Sequence, residues 1–287
     1  MQSIIVITLL REWGLFSLND FKNFLKGMVL GISNIIPGVS AGTMAVVLGI
    51  YNKIIESVSS ILRSFSKNFR FLLFLGLGVI GGILFFSNLI EGFLEKYPWQ
   101  MSYLFMGLIG GSIGILIKTT ISHKPKKIHY IYFVVTLLAL IIMKFTNPVD
   151  STSIIESLDF KSGIKLFVSG FVASSAMILP GVSGSFVLVL FGMYNTIISA
   201  ISNFNIIILI PFGIGVLLGL ITMVKVVEYL LRKYTAQTYM GIMGLVIGSI
   251  FSIIPGFEIS MREVSCIIVF IVGYLISYYI CKLNPEN

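Results

Sequence analysis

The feature that most constrains the fold is a series of apolar stretches, each about 20 residues long, that recurs along the whole chain. Charged residues lie between these stretches and make up 11% of the 287 residues, whereas 56% are hydrophobic. An apolar stretch of that length crosses the hydrocarbon core as a helix, because a helix satisfies its own backbone hydrogen bonds in lipid. The composition therefore excludes a soluble globular enzyme.

The class of membrane protein follows from the pattern inside the apolar stretches. The strands of a membrane barrel alternate apolar and polar residues, and the sequence lacks that alternation. The 28 glycines lie within the apolar runs, where small residues let helices pack closely. We predict an all-α polytopic membrane protein that forms one membrane domain over residues 1–287. The net charge of +8 lies in loops, so we expect no nucleic-acid partner, and no motif indicates a metal or a cofactor.

The chain contains two copies of one sequence unit. A shift of 143 positions aligns Gly27–Ser59 with Gly170–Ser202, and each segment contains the tetrapeptide PGVS. Beyond these segments, a shift of 137 positions aligns Gly76, Gly78 and Gly82 with Gly213, Gly215 and Gly219. We place repeat one at about 22–144 and repeat two at about 163–282. Two copies of this size in a membrane protein are typical of transporters.

Each half combines one interrupted apolar element with three plain spans. The interruption is Pro-Gly, at positions 37–38 and 180–181, where a continuous helix would lose a hydrogen bond and clash. Each interrupted element is either one kinked crossing or a re-entrant hairpin. The plain spans are expected at about Phe71–Ile90, Tyr97–Ile117 and Ile128–Met143, and at about Ile206–Val224, Thr238–Pro255 and Val264–Cys281.

The positive-inside rule separates the two alternatives, because they place the loops on different faces of the membrane. With a re-entrant element, one face holds thirteen lysines and arginines and the other holds only Lys96, Lys144, Lys161, Lys165 and Arg262, with Lys53 and Lys225 uncounted. With a single crossing, the same residues divide into eight and ten. We therefore predict two inverted-topology repeats, each a re-entrant helical hairpin followed by three transmembrane helices, with both termini cytoplasmic.

The two helix breaks are the candidate binding site. Each serine of PGVS occupies the position of a helix N-cap, and the residues after it are small or hydroxylated. Exposed amides at the start of a helix bind anions without a formal cation. The alternative is that proline, glycine and serine only turn a hairpin and let helices pack. The candidate substrate-binding residues are Gly38, Val39, Ser40, Ala41, Gly42 and Thr43 in the first break, and Gly181, Val182, Ser183, Gly184 and Ser185 in the second.

Two glutamates occupy matching positions near the end of the first plain span in each half. Glu91 and Glu228 are candidates for proton coupling, because ionisable groups inside membrane spans are functional candidates by default. The alternative is a simple ion pair near the interface, since Lys225 lies three residues before Glu228. The glycine-rich faces suit packing within one chain or in a homo-oligomer, and the sequence leaves the oligomeric state open.

The motifs resemble a known family of bacterial membrane proteins, the polyprenyl-phosphate translocases. The resemblance rests on IIPGVSAGTMAVVLGIY at 35–51, on ASSAMILPGVSGSFVLVLFGMY at 173–194 and on the paired segments GLIGGS and GLVIGS. It implies a flippase that moves undecaprenyl phosphate from the outer to the inner leaflet of the bacterial cytoplasmic membrane, for carrier-lipid recycling in cell-wall synthesis. Its partners would be undecaprenyl phosphate and membrane lipids.

Two other functions are alternatives. A transporter or channel for a small soluble anion would use the same helix breaks. An enzyme acting on lipid pyrophosphate is a more distant alternative: the undecaprenyl-pyrophosphate phosphatases have a similar PGxS loop, but with an arginine after the serine. Here Ala41 and Gly184 occupy that position. Because hydrolysis needs a cation for the developing negative charge, we expect binding without turnover.

Overall fold

The computed structural model of the chain describes residues 17–36, 39–61, 65–146, 155, 158–255 and 261–283. Within these residues the fold is all-helical and contains no strand. Candidate site residue Gly38 lies outside them. The α-helices are α1 (Leu18–Ile35), α2 (Ala41–Val47), α3 (Tyr51–Ser59), α4 (Phe65–Lys96), α5 (Pro98–Ser122), α6 (Tyr130–Phe145), α7 (Phe160–Ile178), α8 (Gly184–Leu190), α9 (Tyr194–Ser202), α10 (Ile206–Lys233), α11 (Thr235–Ile253) and α12 (Met261–Leu283).

Six helices in the described part of the chain are long and apolar enough to cross a membrane. They are the three long helices of each half, α4, α5 and α6 and then α10, α11 and α12. The six plain spans expected from the sequence are therefore confirmed. A seventh candidate is the pair α8 and α9, which is bent by 113° and is either a broken span or a re-entrant loop.

The interrupted elements have the same local structure in both halves. The short helices α2 and α8 each contain 7 residues, and α3 and α9 each contain 9. A left-handed glycine joins the two short helices in each case, Gly49 at φ 67° and Gly192 at φ 63°. Glycine adopts this conformation without the steric cost of a Cβ, so the repeat preserves the residue at both positions. The sequence repeat is thus also a repeat of local structure.

The first helix of each half packs against the first long helix through glycines. On α1 and α4, Gly27 lies against the carbonyl of Leu75, and Gly31 lies four residues further on against Val79. The matching pair α7 and α10 makes the same kind of contact. Because the contact positions increase together along the chain, α1 runs parallel to α4, and α7 runs parallel to α10. A bidentate ion pair between Arg70 and Asp20, at 2.7 Å, also joins α1 to α4.

The two halves are held together by a second set of glycine contacts. Gly107 on α5 lies against the Phe270 carbonyl on α12, and Gly111 lies against Tyr274. The matching contacts of α11 with α6 begin at Gly244. In each case the second long helix of one half packs in parallel against the third long helix of the other half.

Candidate substrate site at the paired helix breaks

The two helix breaks lie against each other in the interior of the bundle. A Cβ on Gly42, in the first turn of α2, would lie 3.3 Å from Pro180 of the second break. The Tyr51 hydroxyl of α3 donates a 3.0 Å hydrogen bond to the carbonyl of Ile178, at the end of α7. That carbonyl lies in the last turn of its helix and has no partner further along α7. Contacts between the halves therefore fix the relative position of the two breaks.

The first break ends in the N-cap that the sequence predicts. Ser40 has extended backbone angles, and its Oγ accepts a 3.2 Å hydrogen bond from the amide of Gly42. Only 4% of Ser40 is exposed. The first hydrogen bond inside α2 runs from the Met44 amide to the Ser40 carbonyl, so the amides before it are not used by the helix itself.

The second break has the same extended backbone at its N-cap serine as the first, but a different arrangement of hydroxyls. Ser183 is the N-cap residue of α8, and its Oγ lies 2.7 Å from Ser185 Oγ rather than on a backbone amide. Gly181 has φ 82°, and a Cβ there would also lie 2.7 Å from the carbonyl of Leu245. A side chain at this position would therefore be both strained and obstructed.

A cavity of about 920 Å³ opens between the two breaks, and we call it the helix-break cavity. It is also lined by the last turn of α1 and by parts of α4, α6, α7, α9, α10 and α11. Eight of the candidate substrate-binding residues line it, namely Val39, Ser40, Ala41, Gly181, Val182, Ser183, Gly184 and Ser185. The structure thus brings residues of the two PGVS segments, 143 positions apart, to one cavity.

Two candidate residues do not line this cavity. Gly42 packs against the second break, as described above. Thr43 is fully buried in α2, and its hydroxyl has no hydrogen-bond partner among the described residues. Both residues directly follow cavity-lining Ala41 in the sequence, but Gly42 is packed against Pro180 and the Thr43 side chain is buried inside the protein.

Sequence reasoning missed a cation on the cavity wall. Lys144, at the end of α6, lines the helix-break cavity, and its Nζ donates hydrogen bonds to the carbonyls of Phe251 (2.7 Å) and Ile254 (3.1 Å). These carbonyls lie at the end of α11, where a cation is favourable. The sequence showed Lys144 only as a charge at the end of a span, because the packing of α6 against α11 is not visible in a local pattern.

Other polar groups of the cavity were also missed. Asn34 lies one turn before the first break, and Tyr194 begins α9. The repeat offered a signal for Tyr194, because it matches Tyr51, the residue that joins the two halves. The two tyrosines differ in exposure: 6% of Tyr51 is exposed, whereas 39% of Tyr194 is exposed. The matched tyrosine is thus buried in the first half and partly exposed in the second half.

Neither of the two glutamates that the sequence suggested for proton coupling lies in the wall of either cavity described for this chain. Glu91 is exposed on α4, and Glu228 lies on α10. Glu228 Oε1 forms a 2.7 Å ion pair with Arg232, one turn further along the helix. Glu228 therefore forms a simple ion pair, as the sequence suggested, but the expected partner Lys225 was the wrong one. The partner is Arg232, because the i, i+4 spacing brings its guanidinium to the carboxylate.

The chemistry of the helix-break cavity favours binding of an anion. Its described lining offers hydroxyls, small residues that expose backbone and one lysine, and it contains no carboxylate, histidine or arginine. An arginine in place of Gly184 would meet Met177, whose Sδ lies 2.7 Å from the position of a Cβ. The lining thus supplies hydrogen-bond donors for negatively charged oxygens.

Comparison with known proteins gives one family and two relatives. The VCA0040-like family, described as undecaprenyl phosphate translocase-like, matches residues 30–266. The polyprenyl-phosphate transporter of Staphylococcus aureus (strain NCTC 8325 / PS 47) is 38% identical over 286 residues, which cover 94% of this chain and 100% of the relative. The polyprenyl-phosphate transporter of Vibrio cholerae serotype O1 is 31% identical over 253 residues, 83% of this chain and 79% of the relative. No solved structure gives a significant match to this chain.

Proposed function

We propose that this chain, which belongs to the undecaprenyl phosphate translocase-like family, transports undecaprenyl phosphate from the outer to the inner leaflet of the bacterial cytoplasmic membrane. The observation that carries the proposal is the helix-break cavity, in which residues of both PGVS segments meet. The phosphate headgroup binds there to the hydroxyls and amides of the two breaks. The protein acts on the lipid without chemical conversion, as the transporter names of its relatives suggest.

The lipid tail leaves the cavity on its apolar side. Ile83, Ile198 and Ile201 line the helix-break cavity, and they are 37%, 46% and 53% exposed on the surface of the bundle. A wall of exposed apolar side chains suits hydrocarbon, because a polyprenyl chain can stay in lipid while only the headgroup is enclosed. A soluble anion would gain nothing from this opening, which favours a lipid phosphate over a small soluble anion.

The packing directions support an inverted repeat. Consecutive crossings alternate in direction, so α10 runs parallel to α12 and α4 runs opposite to α5. Because α5 packs in parallel against α12, α4 and α10 run in opposite directions through the membrane. Each interrupted element is then re-entrant, since α1 runs parallel to α4 and both begin at the same face. Two halves of opposite direction around one central site provide alternating access.

This topology predicts which loops a membrane-impermeant reagent reaches. In intact cells, a maleimide should label Ser151→Cys, which lies between the two halves and outside the described residues, and should not label Lys124→Cys after α5. The reason is that only the connection between the halves faces outward in this topology. The native thiols, Cys266 and Cys281, are 0% and 3% exposed, so their background is low. Labelling of Lys124→Cys but not Ser151→Cys in intact cells would reverse the proposed orientation.

Binding of the lipid tests the proposed substrate. Native mass spectrometry of the purified protein should retain undecaprenyl phosphate in competition with an uncharged polyprenol of the same length and with inorganic phosphate, because both the headgroup and the tail contribute to binding. Displacement by inorganic phosphate, with no preference for the lipid, would contradict the proposal and favour a soluble-anion transporter.

Lys144 should contribute to headgroup binding through its charge. Lys144→Gln should weaken retention of undecaprenyl phosphate by about threefold to tenfold, whereas Lys144→Arg should keep retention within about twofold. Lys165→Gln removes a charge on α7 that lines neither cavity and is the matched control. Equal affinities for Lys144→Gln and Lys165→Gln would show that Lys144 only caps the end of α11.

A further inference from the structure

A second cavity, of about 970 Å³, lies at the other ends of the long helices, and we call it the lysine cavity. It is lined by the last turns of α5 and α12 and by α3, whereas the helix-break cavity is lined by the last turns of α6 and α11. Since α5 and α6 are consecutive crossings, the two cavities open towards opposite faces of the membrane in the proposed topology.

Three cations from three different helices line this second cavity. They are Lys53 of α3, Lys118 of α5 and Lys282 of α12, and the only carboxylate among the described lining residues is Glu56. Lys53 Nζ lies 4.9 Å from the centroid of the Phe71 ring, which holds it at the wall. Lys118 and Lys282 are exposed and form no ion pair with a described residue. The excess of positive charge makes this cavity attractive to an anion.

The two cavities are related by the sequence repeat. In three matched pairs, the residue of the first half lines the lysine cavity and its counterpart in the second half lines the helix-break cavity. The pairs are Val46 and Val189, Tyr51 and Tyr194, and Ile115 and Ser252. Lys144 matches Cys281, which lines the lysine cavity beside Lys282. The two cavities are therefore equivalent places in the two halves, but the cations are concentrated in one of them.

The short helix α2 lines both cavities. Ala41 at the start of α2 lines the helix-break cavity, and Val46 near its end lines the lysine cavity. A helix of 7 residues is about 10 Å long. Between these two positions lies Thr43, whose fully buried hydroxyl lacks a hydrogen-bond partner among the described residues. A headgroup that moves from one cavity to the other thus travels about one length of α2.

We propose that the lysine cavity is a second binding station, which takes up the phosphate monoester after it leaves the helix breaks. The inference rests on the proposed function for its direction and for the lipid as the source of the phosphate. Hydrogen bonds to hydroxyls and amides hold the headgroup at the first station, and the three lysines draw it across α2 and hold it at the second.

The test combines Lys53→Gln, Lys118→Gln and Lys282→Gln in one variant, reconstituted in vesicles with a labelled polyprenyl phosphate. The matched control, Lys124→Gln with Lys126→Gln and Lys127→Gln, removes the same charge from the loop after α5, outside both cavities. The cavity variant should move the lipid at least tenfold more slowly than the wild type, and the control should stay within about twofold. The corresponding triple replacement by arginine should restore movement.

The outcomes separate this inference from the proposed function. A cavity variant that folds and moves lipid like the control would overturn the second station. A wild type that moves no polyprenyl phosphate would overturn the proposed function, and binding of inorganic phosphate then decides the inference. If the cavity variant loses binding of inorganic phosphate and the control variant keeps it, the lysine cavity is an anion site for soluble phosphate. If both variants bind inorganic phosphate like the wild type, the inferred anion site is overturned. Lys118→Gln with Lys282→Gln changes only exposed side chains and should show the same slowing, so a folding defect at Lys53 cannot decide the test.

Discussion

Alanine in place of Gly78 should remove most of the folded protein. A Cβ at this position would overlap the carbonyl oxygen of Phe24 and lie 2.9 Å from the Cα of Gly27, so α1 and α4 would have to move apart. Both contacts involve backbone, which cannot move aside as the end of a flexible side chain can. Overpacking of this kind costs about 1–3 kcal/mol or more. We expect the yield of monodisperse protein and its thermal midpoint in detergent to fall sharply.

The sequence repeat provides both a second test and two controls. Gly215→Ala should have the same effect as Gly78→Ala, because a Cβ at Gly215 would overlap the carbonyl oxygen of Phe167 on α7. Gly76 and Gly213 are matched positions on the same two helices, and nothing lies within 4 Å of a Cβ at either one. Gly76→Ala and Gly213→Ala should therefore leave the midpoint unchanged or raise it slightly. Equal effects at the crowded and open positions would contradict the helix packing described above.

A carboxylate in the helix-break cavity should abolish transport while the fold is retained. Ser183→Asp places a negative charge at the N-cap of α8, where aspartate caps a helix as well as serine does. Two like charges about 4 Å apart repel by about 4 kcal/mol at an intermediate effective dielectric constant. Since each 1.4 kcal/mol is tenfold in affinity, we expect retention of undecaprenyl phosphate to fall by about a thousandfold, measured by native mass spectrometry, and vesicle transport to fall in parallel.

Ser183→Asn is the matched control for this substitution. Asparagine has nearly the same shape as aspartate, also caps helices well and carries no charge. Ser183→Asn should therefore bind the lipid within about threefold of the wild type, with the same thermal midpoint as Ser183→Asp. If the two variants bind undecaprenyl phosphate equally, the headgroup does not lie beside the second break.

Sequence patterns predicted the parts of the fold that depend on neighbouring residues. Apolar length predicted the six long helices, because a helix in lipid needs about 20 apolar residues. The repeat predicted where the interrupted elements lie, and Pro-Gly followed by a serine predicted the N-caps at Ser40 and Ser183. These features are local, so tertiary packing did not override them.

The features that the sequence did not reveal depend on contacts between distant segments. The packing of α5 against α12 joins two halves through glycines that have no local signal for their partner. Lys144 lines the helix-break cavity only because α6 and α11 pack together. Spacing alone also suggested the wrong ion-pair partner for Glu228, since Lys225 and Arg232 both lie within one turn of it.

The most direct measurement is the movement of a labelled undecaprenyl phosphate between leaflets of vesicles that contain the purified wild-type protein. Leaflet-specific quenching of the label should show exchange at least tenfold faster than in protein-free vesicles. An uncharged polyprenol with the same label should exchange at the same rate with and without the protein. Exchange of the phosphate lipid no faster than in protein-free vesicles would contradict the proposed transport.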